Sequence, residues 1–227
     1  MKQITVYDAS MNSPRTADPV DKPRRKYNST RRSLQAAQTR DDVLAAAIRL
    51  FSSAGWAGTT IAGIAADAGV AVETIYSGFG SKKALLRAAM DVAVVGDAEP
   101  IPFVDREYAK RMGEGTFAER VDAAAEVTAD VHERAAGVWK ALVEAAAADA
   151  EIDGWRQELE RGRRIEIDRS VRAVLGPDVE VDEMTIDLAW VIFGSEVYLK
   201  VTNDLAKPRS GYEAFIREAF ARLIAPR

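Results

Sequence analysis

Residues 59–82 read TTIAGIAADAGVAVETIYSGFGSK. Ile61, Ile64 and Ala65 recur at helical spacing, and Thr60 stands where an N-cap hydroxyl is wanted. This predicts a short helix over 61–68. Ala68 and Gly69 are small, and Gly69 takes a positive φ without steric penalty. Val70 fills the gap before a second helix over 72–78. That helix packs through Val72, Ile75 and Phe79, leaving Glu73, Thr74 and Ser77 outward. Two helices joined this tightly have the geometry of a helix-turn-helix, whose second helix fits a DNA major groove. The same geometry also occurs in proteins that bind no nucleic acid.

The period continues on both sides. Thr39 can cap a helix carrying Leu44, Ala47, Ile48 and Phe51, with Asp41 and Asp42 in its first turn and Gly55 at its end. A fourth helix starts near Ser81 and carries Leu85, Leu86, Ala89, Val92 and Ala93 to about Val95, before Pro100 and Pro102 interrupt the chain. Longer helices follow: from Thr116 to about Arg134, past a joint at Gly137 to about Ala150, from Ile152 to Leu175, from Asp182 to about Val201, and from Tyr212 to Ile224. No strand alternation competes. The expectation is an all-α chain of about nine helices: a three-helix helix-turn-helix domain over 39–86 and a helical bundle over 87–227. Residues 1–38, polar and aperiodic, read as a disordered basic extension. Its Lys22, Arg24, Arg25, Lys26, Arg31 and Arg32 suit either an arm along phosphates or a solvated tail.

Composition removes several function classes. The 227 residues contain no Cys and one His, His132, so disulfides, zinc fingers and thiol catalysis are excluded. His132, beside polar Asp130 and Glu133, reads as a surface or hydrogen-bonded residue rather than a ligand. No apolar run suits a membrane span or a signal peptide, and the expected location is the cytoplasm. Neither a cofactor nor a metal is expected. The net charge of −4 is unevenly spread: residues 1–95 carry 13 Lys+Arg against 8 Asp+Glu, and residues 96–227 carry 18 against 27. A basic end on an acidic remainder suits a protein that presents that end to a polyanion.

From Arg40 to Leu86 the chain resembles the TetR family of bacterial regulators. The resemblance lies in Arg40, Leu44, Ala46-Ala47, Leu50-Phe51, Ala54-Gly55-Trp56, Thr59-Thr60-Ile61, Ile64-Ala65, Ala68-Gly69-Val70, Thr74-Ile75-Tyr76, Phe79, Ser81-Lys82 and Leu85-Leu86. It implies double-stranded DNA as partner, with Arg40, Thr59, Thr60, Val72, Glu73, Thr74, Tyr76, Ser77 and Lys82 at the interface. Tyr76 and Lys82 would contact phosphates. Thr59 and Thr60 would contact phosphate or cap the second helix. Glu73 could accept from a cytosine amino group or repel phosphates. Three positions depart from the pattern: Gly78 stands where the family has His, Ala71 where a capping Ser is common, and Gly63 where a helix former is usual.

The resemblance also implies a homodimer that senses a small molecule, apolar or aromatic in part, and is most often a repressor of a palindromic operator. Phe117, Trp139, Trp155, Trp190 and Phe193 are the expected pocket residues. The expected dimer stripes are Leu188, Ile192, Ser195 and Leu199 on one helix, and Tyr212, Phe215, Ile216, Ala219, Phe220 and Leu223 on the last. Both stripes could equally face the chain's own core. A helical enzyme is the competing class, but the acidic residues fall on charged helix faces and no phosphate loop or metal spacing is found.

Overall fold

The computed structural model describes residues 27–97, 99 and 103–224. Among them there are helices and no strands. The order is α1 (Tyr27–Gly58), α2 (Ile61–Ala68), α3 (Val72–Phe79), α4 (Lys82–Val95), a one-turn α5 (Glu107–Lys110), α6 (Phe117–Ala146), α7 (Ala150–Leu175), α8 (Glu183–Ile192), α9 (Ser195–Leu199) and α10 (Arg209–Ala219). Short 3-10 turns flank α5, and wider π turns follow α9 and α10.

α1 begins at Tyr27, well before the expected Thr39. Residues 27–38 contain neither Gly nor Pro and include Leu34, Gln35, Ala36 and Ala37, all compatible with helix. Their polar composition hid this, because an exposed helix needs no apolar period. The rest of the expected extension, residues 1–26, lies outside the described residues.

The end of α1 is shaped by Gly55, at φ 69° and ψ −171°. Most of the expected caps form. Thr60 accepts from the Gly63 N–H and Ser81 from the Ala84 N–H. Thr116 and Glu119 close a reciprocal capping box at the start of α6. Ala71, at the start of α3, offers no side-chain cap.

Two apolar cores share α6. One gathers Phe51, Ile64, Ile75, Leu85 and Leu86 with Val138 and Leu142 of α6. The other gathers Ala125 of α6 with Val174, Ile186, Tyr212 and Ile216. α6 is continuous through Gly137, so no joint exists there. Gly137 is instead the point where α6 crosses α1: a Cβ on it would lie 2.5 Å from the Ser52 Cβ. The helix expected from Asp182 to Val201 breaks at Phe193 and Gly194. The carbonyls of Trp190 and Phe193 accept from the Arg163 guanidinium, which offsets the hydrogen bonds lost at the break.

Candidate nucleic-acid interface

α2 and α3 pack at the Gly69 turn, where φ is 66°. Ile75 of α3 is buried, so the opposite face is forced outward. Glu73, Thr74, Tyr76 and Ser77 are all exposed there, Tyr76 by 52%. Val72 is half-buried, with part of its side chain packed on the apolar core. Ser77 donates its hydroxyl to the Thr74 carbonyl, which holds it close to the helix surface.

The structure gives Thr59 a different role from the one expected. It is buried at 2% exposure, and its hydroxyl donates to the carbonyls of Leu50 and Gly55 at 3.0 and 2.7 Å. It ties down the α1–α2 corner and cannot reach a phosphate. Thr60 acts as the α2 cap, one of the two roles open to it. Arg40 lies over the Phe79 ring, 4.4 Å from its centroid, and donates to the Gly78 carbonyl. That joins α1 to the end of α3 and orients α3 on the domain.

Lys82 holds the same corner from α4. Its ammonium donates to the Trp56 carbonyl and sits 4.0 Å from the centre of the Trp56 ring. Burial pushes its pKa down, and the nearby Glu144 carboxylate opposes that shift. An ammonium has three donors. One is used on Trp56, which leaves donors for a phosphate.

Glu144 of α6 completes the corner and was not legible in the sequence. Its two carboxylate oxygens accept from the backbone N–H groups of Trp56 and Ala57 at 2.8 and 3.0 Å. Those two bonds hold its pKa below the ordinary carboxylate value. A Cβ at Gly55 would fall 2.5 Å from the same carboxylate, and the φ there also favours glycine. A bundle helix thus caps the turn that leads into the reading helices.

Residues 43–89 match the family model of bacterial regulatory proteins of the tetR family. They make up a TetR-family domain. No curated protein matches the chain. The TetR match, with α3 exposed as described, makes the protein a DNA-binding transcriptional regulator. None of the described helices is long and apolar enough to cross a membrane.

Behind the TetR domain the bundle and α4 line an open-mouthed cavity of about 430 Å³. Trp139, Trp155 and Phe193 line it, together with Phe103, Phe220 and Met90. Two of the expected pocket residues lie elsewhere. Phe117 is 38% exposed at the first position of α6 and is not among the residues that line the cavity. Trp190 lies beneath the Arg163 guanidinium, 5.0 Å from ring centre to charge, and its buried indole N–H has no partner among the described residues. The Trp139 indole donates to Glu196 at 2.6 Å. The polar wall includes Asp91, Arg163 and Glu166, none of them singled out by sequence because each sits in a charged helical stretch. Burial raises the Asp91 pKa, and Arg87 opposes the rise. His132 also lines the cavity. It is buried, its Nδ1 lies 2.7 Å from the Tyr212 hydroxyl, and burial lowers its pKa to about 3, so the ring is neutral.

The expected dimer stripes divide. Tyr212, Ile216, Ala219, Phe220 and Ser195 are buried within the protomer's own core and have no surface left for a partner. Ile192 and Leu199 are half-buried, and the side chain of Leu223 lies outside the described residues. Leu188 and Phe215 stay exposed. Met184 and Val191 join them, at 65% and 58% exposure.

Proposed function

We propose that this regulator is a dimeric repressor that leaves a palindromic operator when a small molecule enters the bundle. The observation that carries the reading is the path of α4. Lys82 begins it at the reading head, and Arg87, Met90, Asp91 and Val94 of the same helix line the cavity. Lys82 and Asp91 are separated by about 13 Å at 1.5 Å per residue. A ligand that repositions the cavity wall therefore moves the clamp on Trp56 through one rigid element. Glu144 offers a second connection, from α6 to the α1–α2 corner.

The cavity's aromatic and aliphatic walls suit an effector that is apolar or aromatic in part. For the dimer, Met184, Leu188 and Val191 recur on one face of α8, with Phe215 exposed on α10. A two-fold axis there would set the two copies of α3 one DNA turn apart, about 34–36 Å.

The test starts with selection of duplexes from a random pool by the full-length protein. The expected consensus is palindromic with half-sites about 10 base pairs apart. Compounds that change Trp139 and Trp155 fluorescence are then added to the complex. Release of the duplex at the concentrations that change fluorescence supports the switch. Unchanged affinity with the cavity filled rules it out.

A further inference from the structure

The groove between the first turns of α1 and the end of α3 is unused by this reading. It measures roughly 750 Å³. Arg31, Arg32, Gln35 and Arg40 of α1 form one wall, and Thr74 and Ser77 of α3 form the other. Among the described residues no carboxylate lines it. Both Arg31 and Arg32 are exposed, and among the described residues no ion pair takes up either guanidinium. At the α3 end, a Cβ on Gly78 would meet nothing within 4 Å, so the groove is open there.

We propose that this groove seats the sugar–phosphate backbone of one DNA strand, with Arg31 and Arg32 as phosphate contacts beyond the helix-turn-helix. The proposal rests on the DNA-binding reading of α3. Three observations commit the groove to this occupant. Its charge is of one sign, and guanidinium forks match phosphate oxygens in pairs. It is continuous with the exposed Thr74 and Ser77, so a strand bordering the major groove read by α3 runs directly into it. Arg31 and Arg40 lie about 13 Å apart along α1, a span of several base steps at about 3.4 Å each. The chain's own residues 1–26 do not suit the groove, because they carry 6 Lys+Arg against 3 Asp+Glu and share its sign.

The contact is to backbone, so it adds affinity without adding sequence information. It also answers the departures at Ala71 and Gly78. A reading helix without a cap, and without the side chain usual at position 78, is supplemented by a second grip on the same strand.

The experiment uses the full-length protein, a duplex it has selected from a random pool, and a scrambled duplex of equal length. Dissociation constants are measured across a range of salt. The R31A/R32A protein is expected to bind both duplexes more weakly by about tenfold, and its log–log salt slope to fall by about two, roughly 0.9 per phosphate lost. Its preference for the selected duplex stays as in the wild type. The R31K/R32K protein keeps most of the slope. Hydroxyl-radical footprints of R31A/R32A lose protection at the outer phosphates alone. Unchanged slope and affinity overturn the proposal, as does a loss confined to the selected duplex, which would mean base readout. A wild-type protein that enriches no duplex overturns the underlying DNA reading, and that failure is visible before either arginine is changed.

Discussion

The head and the bundle are built from the same helical grammar but filled differently. In the head, Phe51, Ile64, Ile75, Leu85 and Leu86 are each at most 1% exposed and pack on one another. In the bundle, the helices hold a cavity of about 430 Å³ open among Trp139, Trp155 and Phe193. A head that must present α3 in one orientation has reason to be solid. A bundle with room for a guest has reason to be hollow. The difference teaches where rigidity and responsiveness are placed, and α4, α6 and α7 each carry residues of the first core and of the cavity wall.

The largest expected effect tests that contrast directly. Phe51→Ala removes a fully buried ring from the solid core and is expected to cost about 3–5 kcal/mol in denaturant unfolding. Phe193→Ala removes the same ring from a cavity wall, where part of the ring faces open space, and is expected to cost less. DNA affinity should fall with the first change far more than with the second. Equal losses in stability would break the comparison.

The next effect concerns the crossing that joins the regions. In Gly137→Ala the new methyl group would lie 2.5 Å from the Ser52 Cβ and 2.8 Å from its Cα, so backbone must move. Overpacking of this kind costs about 1–3 kcal/mol. Ser52→Gly in the same chain is expected to recover part of it, and a double-mutant cycle measures how much.

These two regions also differed in how much the sequence disclosed. The head was legible because its signals are local. Thr60, Gly69 and Ser81 act within a few residues of where they stand, and the spacing of Ile61, Ile64 and Ile75 needs no knowledge of what they touch. Thr59 escapes such local reading because its acceptors, Leu50 and Gly55, belong to the preceding helix. In the bundle the deciding facts are tertiary. Gly137 reads as a helix breaker until Ser52 is set against it. Tyr212 and Ile216 read as an outward stripe until the rest of the second core encloses them. Glu144 carries no local signal at all, since its partners lie more than eighty residues away.

Another effect separates the regions by pH. His132 is buried and bonded to Tyr212, with its pKa lowered from 6.5 to about 3. The folded state therefore binds this proton less readily than the unfolded chain. Its contribution to stability is complete above 6.5 and is lost as pH falls from there toward 3. The slope approaches about 1.4 kcal/mol per pH unit. Unfolding midpoints of the His132→Gln protein should depend on pH less steeply over that window. Tyr212→Phe keeps the ring and removes the hydrogen bond, at about 0.5–1.5 kcal/mol. A slope that persists without His132 would place the acid sensitivity elsewhere.

The smallest effect lies in the head, at the start of α3, where no side chain caps the helix. Ala71 has the extended backbone of an N-cap, φ −74° and ψ 149°, but no side-chain acceptor. Ala71→Ser supplies one without moving the chain. A new cap is worth about 1 kcal/mol. The gain here should be nearer 0.5 kcal/mol, because the Thr74 N–H already donates to the Ala71 carbonyl. The change touches no exposed side chain of α3, so tighter binding to the selected duplex would come from a better-ordered helix and not from a new contact. Its salt slope should therefore match the wild type. A steeper slope would mean that the hydroxyl had reached DNA, and that the head gains affinity by contact rather than by rigidity.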